Sequence, residues 1–448
     1  MESRRVAVAS GGLVVLAWTA AGLSAQASPP ATSHAHAEHT AAASSTTRWG
    51  RWAVALHASL TLDARWDPPP RGRNELFATN MTGVSLIRAL GNGSLQVSMM
   101  TSIEPVLGPG GYPLLLQTGE TADGSNPLVD RQHPHDLLMG LGASYDVPVA
   151  RWLSGSVYVA PVGSPALGPE TYMSRASAGG NPTVPIGHHF LDATHISHGV
   201  VTAGLHTRWA TLEASVFNGR EPDRHRWMPD RPALNSWSAR LRVMPLPSWT
   251  VQASVGRLEE PERLHPGIDL QRVTVSVSHT RVTPSTSWAT TVAWGRNTWQ
   301  EAVVTFPASP TPAPLGGGTA AGGTLEVRPD FHITGYPHDH ESIVFFPELE
   351  HAAWLAETAW SGFGLRLYGR YEQARKNELF PAVDPRHRNL YDVDKLELGL
   401  LRSVRLGRGW SAGIGGSVSL HRLDPGLRST YGDSPRSYML YVRLDLDP

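Results

Sequence analysis

From Arg51 to the C-terminal end, the chain is a succession of short runs in which apolar and small or polar residues alternate one for one. Trp52, Val54, Leu56, Ala58, Leu60 and Leu62 share one face of an extended strand, while His57, Ser59, Thr61 and Asp63 share the other. The stretches 236–243 and 272–279 alternate in the same way, with Arg240 and Arg242 on the polar side. Near the C-terminus, Tyr438, Leu440, Val442, Leu444 and Leu446 oppose Met439, Tyr441, Arg443 and Asp445. On a helix these residues would scatter around the axis, so the period predicts strands.

Two kinds of connection separate the runs, and they alternate. Short ones fall at 91–93, 146–151, 207–210, 244–248, 282–287, 361–362 and 406–409, with hairpin-turn chemistry. Long ones fall at roughly 64–81, 104–136, 162–197, 219–235, 258–270, 297–347, 374–392 and 422–435, and they carry most of the Pro, Gly and His. A chain that crosses lipid as strands must close on itself, because an open edge leaves backbone groups unpaired in hydrocarbon. Bacterial outer-membrane barrels combine an even strand number, short periplasmic turns and long outer loops. The runs are about ten residues long, enough for a tilted strand to span the bilayer. Trp52, Trp152, Trp209, Trp288, Trp294, Trp354, Trp360 and Trp410 sit near run ends, as interfacial girdles require. The expectation is an all-β, transmembrane antiparallel up-and-down barrel of about 16 strands over residues 48–448, held in outer-membrane lipid. A soluble sandwich, propeller or β-helix would not show the strict long–short alternation. The chain stops at Leu446-Asp447-Pro448 without the terminal aromatic common in such barrels.

The N-terminus reads as an address. Arg4 and Arg5 precede an apolar stretch to Leu23 and the small-x-small site Ala25-Gln26-Ala27, predicting a secretory signal peptide over 1–27. Residues 28–47 follow as an Ala/Ser/Thr-rich tail with His34, His36 and His39, either a plain linker or a weak metal collector. Net charge is −1, which removes the electrostatic case for nucleic-acid binding. There is no cysteine, so disulfides, thiolate metal sites and cysteine nucleophiles are excluded.

The polar faces of the strands should line the interior, and many are charged: Glu213, Arg240, Arg242, Arg366, Arg370, Glu372, Glu397 and Arg443. Mixed signs predict a wet lumen with paired charges, and a barrel of this size is wide enough for an aqueous channel unless loops fold in. Candidate chemistry lies in the histidine-rich ends of two long connections, residues 130–136 and 186–198. Imidazole and carboxylate are the ligands available without Cys, and they suit copper or zinc. The candidate metal residues are His133, His135, Asp136, His188, His189, Asp192, His195 and His198. Pro134 fixes an extended backbone that lets His133 and His135 project together. His195 and His198, at i and i+3, would face one way on a helical turn, and Asp136 or Asp192 would bind directly or orient a ring. A third cluster, Tyr336 to Glu341, has ligand types without metal-specific spacing. The competing reading of all three is a hydrogen-bonded network that pins loops inside the barrel mouth. Arg220 is expected to pair with Glu221, Asp223 or a loop carboxylate, and Pro307 to Gly323 is a low-complexity excursion.

The Arg131-Gln132-His133-Pro134-His135-Asp136 run, the segments Ile186 to His189 and Asp192 to Ser197, Phe217 to Asp223, Trp288 to Asn297 and Tyr431 to Tyr438 resemble a largely uncharacterised family of bacterial outer-membrane β-barrels. The resemblance implies an outer-membrane barrel of the kind found beside copper and other heavy-metal resistance functions; it implies no catalytic residue. Three functions follow as expectations: binding or passage of transition-metal ions, with the His loops as selective element; general diffusion of small solutes; and a lipid-acting hydrolase using Ser197 with His195, His198 and Asp192. The last is disfavoured, since no nucleophile elbow is present.

Overall fold

The computed structural model describes residues 47–119, 126–263, 265, 267–300, 302–306, 342–346, 349–381 and 384–446. The leader at 1–27, the tail up to residue 46 with its three histidines, and the stretches 307–323 and 336–341 lie outside the described residues.

Sixteen strands form the barrel wall. They begin with β1 (Trp52–Trp66), β2 (Asn74–Leu90), β3 (Gly93–Thr101) and β4 (Leu138–Ala150). Next come β5 (Leu153–Gly163), β6 (Ser197–His206), β7 (Ala210–Phe217) and β8 (Ser236–Leu246). The third quarter is β9 (Trp249–Leu258), β10 (Leu270–Val282), β11 (Thr286–Trp299) and β12 (Leu349–Gly362). The wall ends with β13 (Leu365–Lys376), β14 (Tyr391–Gly407), β15 (Trp410–Leu423) and β16 (Arg436–Leu446). Each strand pairs antiparallel with its sequence neighbours. β1 and β16 close the cylinder, from Ala58 opposite Leu446 to Trp66 opposite Tyr438. Closure removes the sheet edge that lipid could not solvate.

The alternation read from the sequence divides outside from inside. Leu56, Leu62, Leu212, Val292, Leu440 and Val442 face outward and exposed, whereas Ser59, Thr61, Asp63, Thr211, Thr291, Met439 and Tyr441 point inward and are buried. Trp152, Trp209, Trp249, Trp288 and Trp410 ring the short-turn end, and Trp66, Trp237, Trp354, Tyr371 and Tyr438 ring the long-loop end. Two belts of amphipathic rings bounding an apolar band are what a bilayer imposes.

Several turn boundaries differ from expectation. The turns expected at 146–151 and 244–248 are tighter, because β4 continues to Ala150 and β8 to Leu246. Both misleading signals were prolines, Pro148 and Pro245, which sit where the pairing register shifts; a bulge tolerates the missing N–H. The turn expected at 361–362 falls on Phe363 and Gly364, both with positive φ (54° and 73°), as a primed hairpin turn requires. The long connection expected at 64–81 spans only 67–73.

The interior is narrowed by loops that fold into it. The loop 164–196 runs inward and crosses to the far wall. Ala166 N–H donates to Ser215 Oγ of β7 at 2.8 Å, and Gly168 N–H to Ser254 Oγ of β9 at 2.9 Å. Further along, Ser177 Oγ donates to Thr291 Oγ1 of β11 at 2.7 Å, and Gly187 N–H to Glu372 of β13 at 3.1 Å. The wall donates back: Arg370 to the Thr183 carbonyl at 2.8 Å, Lys376 to Ile186 at 3.0 Å and Tyr441 to Gly180 at 2.7 Å. A hairpin of Tyr112–Gly119 with Leu128–Gln132 packs beside it. Leu114, Leu115, Leu116, Val184, Ile186, Phe190 and Leu191 of these two loops form an apolar core with Ala293, Leu355, Val393 and Leu423 of the wall. The interior charges are paired as expected: Glu213 with Arg240 (3.1 Å) and Arg242 (3.3 Å), Glu357 with Arg370 (3.0 Å), and Lys395 with Glu397 (2.9 Å), each almost wholly buried. Burial without such partners would cost several kcal/mol per ion.

Candidate functional site

The site lies within the inward loops. Gly187 starts a single helical turn, His188–Leu191, and a 3₁₀ turn, Ala193–His195, follows at once. Two turns in quick succession bring His188, His189 and His195 to one side of the loop. The extended Gln132–Asp136 segment runs past them.

Five imidazoles form a continuous chain. Successive ring centroids are 6.1 Å apart for His133 and His189, 5.5 Å for His189 and His188, 5.2 Å for His188 and His195, and 5.7 Å for His195 and His135. His133 and His135, which the Pro134 argument expected to project together, stand at opposite ends of the same chain.

Carboxylates orient the rings. Asp192 accepts from His188 Nδ1 at 2.7 Å, from the Tyr172 N–H at 2.8 Å and from Arg175 at 3.2 Å. Its carbonyl accepts from His195 Nδ1 at 2.9 Å, leaving His195 Nε2 buried with no hydrogen-bond partner. Asp192 thus orients rings rather than offering itself as a ligand. Glu104 accepts from the His135 N–H at 2.9 Å and from His135 Nδ1 at 3.0 Å.

Charge divides the histidines. Burial pushes the His133, His189 and His195 imidazoles well below their ordinary value, and neighbouring positive groups, Arg226 for His133 and Lys376 and Arg272 for His189, act in the same sense. These rings stay neutral, the form that binds metal. For His135 burial acts the same way, but the Glu104 carboxylate outweighs it and raises the ring above its usual value. Burial opposes the charge on Asp192 too, yet His188 and Arg175 hold its carboxyl below the usual range. Burial pushes Asp136 up to about 6 against the pull of Arg226.

His198 and Asp136 do not join the chain. The helical turn expected to align His195 with His198 ends at His195, and His198 is already in β6. A strand turns its side chain away, toward Asp230 (3.5 Å) and Asp136 (3.9 Å). Asp136 in turn accepts from Arg226 at 3.1 Å. Ser197 Oγ is buried and donates to the Thr194 carbonyl at 3.1 Å.

Among the described residues, two groups bring three ligand atoms within 4.8 Å of one another: His133, His189 and Glu221; and Glu262, His265 and Glu378. The eight residues expected from the sequence do not form one coordination sphere. Glu221, Glu104 and Glu262 were not anticipated as site residues. Arg220 pairs with Glu260 instead of Glu221 or Asp223, and Glu221 lies 3.9 Å from His189 Nδ1.

The barrel is similar to solved outer-membrane porins. An anion-selective porin from Comamonas acidovorans superposes with a TM-score of 0.50 at 8% identity, over 88% of this chain and 99% of that one. OmpF of Salmonella typhi, solved with daunomycin, gives 0.49 at 11% identity over 90% and 100%. The outer-membrane channel DcaP of Acinetobacter baumannii gives 0.44 at 9% identity over 89% and 99%. No protein-family model and no curated protein sequence matches the chain. A closed barrel of this strand number, with an apolar band between two aromatic girdles, is a porin-fold barrel of the outer membrane.

Proposed function

We propose that the protein is an outer-membrane channel for small hydrophilic solutes whose passage is narrowed by its inward loops. The observation that carries this reading is the loop 164–196, hydrogen-bonded to β7, β9, β11, β13 and β16 across the lumen. A barrel of this width leaves an aqueous channel unless something enters it, so the loop sets what passes. The porin fold supports the same reading. Planar-bilayer recording tests it: the intact protein should give a small ohmic conductance, and replacing residues 170–187 by a short Gly-Ser link should raise it several-fold. Silence from both proteins, each verified as folded and inserted, would reject the channel.

A second reading, passage of transition-metal ions, is favoured by the imidazole chain. Zinc influx into liposomes loaded with a fluorescent chelator, compared with potassium and chloride, separates it from general diffusion.

A further inference from the structure

His133 and His189 reach the same point from different loops, and Glu221 reaches it from a third. All three are partly buried, so the point is sheltered and still reachable from water. His133 Nδ1 lies 3.3 Å from the Pro134 carbonyl; a hydrogen on Nδ1 leaves the Nε2 lone pair free to bind. His189 lies over Gly119, where a Cβ would come within 2.6 Å of Cε1 and 3.0 Å of Nε2. Only a residue without a side chain leaves room for that ring. Its Nδ1 faces Glu221 at 3.9 Å. Its backbone is held by Asn297, which donates to the His189 carbonyl at 3.0 Å, and the Glu221 N–H donates to the Pro261 carbonyl at 2.8 Å. Two imidazoles and one carboxylate, carried by three separate loops, thus bring their ligand atoms within 4.8 Å of one another.

We propose that His133, His189 and Glu221 form a binding site for one divalent transition-metal ion, of the zinc or copper(II) class. Nitrogen and oxygen donors in this ratio match that class and disfavour calcium and magnesium, which take oxygen. Metal–nitrogen bonds of about 2.0–2.1 Å place tetrahedral ligand atoms roughly 3.3 Å apart. The His189–Glu221 separation of 3.9 Å closes to that by a small side-chain rotation. Three protein ligands leave a fourth position for water or a second donor, the pattern of an exchangeable rather than a closed structural site. Arg226, near His133, pairs with Asp136 at 3.1 Å, and the Glu221 carboxylate offsets part of the positive charge of Arg272 beside His189.

The test uses the mature chain in detergent with His34, His36 and His39 replaced by Ala in every sample, so that the tail gives no signal. Titration with zinc chloride by calorimetry should show one saturable site per chain. His133→Ala, His189→Ala and Glu221→Gln should each weaken it at least tenfold, and His265→Ala should leave it unchanged. Glu221→Gln keeps shape and volume, and heat-modified mobility on gels checks that each variant is folded. Copper(II) bound to the otherwise intact protein should show spin-resonance coupling to two imidazole nitrogens, a readout independent of any substitution at the site. Absence of saturable binding, retention of the site in His133→Ala/His189→Ala, or its loss in His265→Ala would overturn the proposal. Binding does not require conduction: a silent bilayer with intact binding rejects the channel and leaves the site, and the reverse result does the opposite.

Discussion

Glu357 and Arg370 face each other across β12 and β13, and Arg370 Nε donates to Glu357 Oε2 at 3.0 Å with both side chains almost wholly out of water. Arg175 of the inward loop donates to the other oxygen of the same carboxylate. One carboxylate therefore ties two wall strands and the loop together.

Glu357→Ala is expected to destabilise the protein by about 3–5 kcal/mol, since it takes from buried Arg370 its paired carboxylate and leaves Arg175 only Asp192. Arg175→Ala should loosen the loop while keeping the wall pair, and should raise bilayer conductance. Urea unfolding in detergent and single-channel recording check the two effects; an unchanged conductance in folded Arg175→Ala would show that the loop does not limit flow.

Gly295 of β11 lies against the Phe190 carbonyl, which an added Cβ would approach to 2.2 Å. Gly295→Ala should displace the His188–Leu191 turn from the wall and expose the inward loop to protease, with the barrel itself intact. Limited proteolysis of reconstituted protein reads this directly.

Val292 sits in the middle of β11, exposed on the outer face. Val292→Arg should cost about 2–4 kcal/mol when folding is measured into lipid vesicles. A cost near zero would mean that this face does not lie at the bilayer midplane.

Asp136 gives a pH signature. Burial raises its carboxyl to about 6 in the folded protein, against about 3.9 unfolded. A raised folded value means that its contribution is fully present below about pH 3.9 and is lost as pH rises through about 6. Asp136→Asn should flatten that part of the stability curve between pH 4 and 6, measured as the thermal midpoint in detergent.

The wall was legible in the sequence because alternate residues of a strand face opposite solvents. Leu56 and Leu62 had to meet lipid if Ser59 and Thr61 met the interior, and period two records that choice residue by residue. Turn limits were less legible where Pro148 and Pro245 imitate a loop but sit at bulges. The histidines of 130–136 and 186–198 were found by type. Their sorting was not, because it depends on loop 164–196 turning inward and on β6 starting at Ser197. Glu221 and Glu104 carry no local signal at all: each acquires its meaning from a histidine supplied by another loop.

The inward loops come from the first half of the chain, whereas part of the wall that receives them is made last. Gly180 waits for Tyr441, and Gln117 for Lys376. During synthesis and export, Leu114 to Leu116, Val184 and Ile186 lack their wall partners Leu355, Val393 and Leu423 until β12, β14 and β15 arrive. Escort through the periplasm must therefore shield the future contents of the cylinder as well as its greasy exterior, and closure of the β1–β16 seam is the event that makes both safe at once.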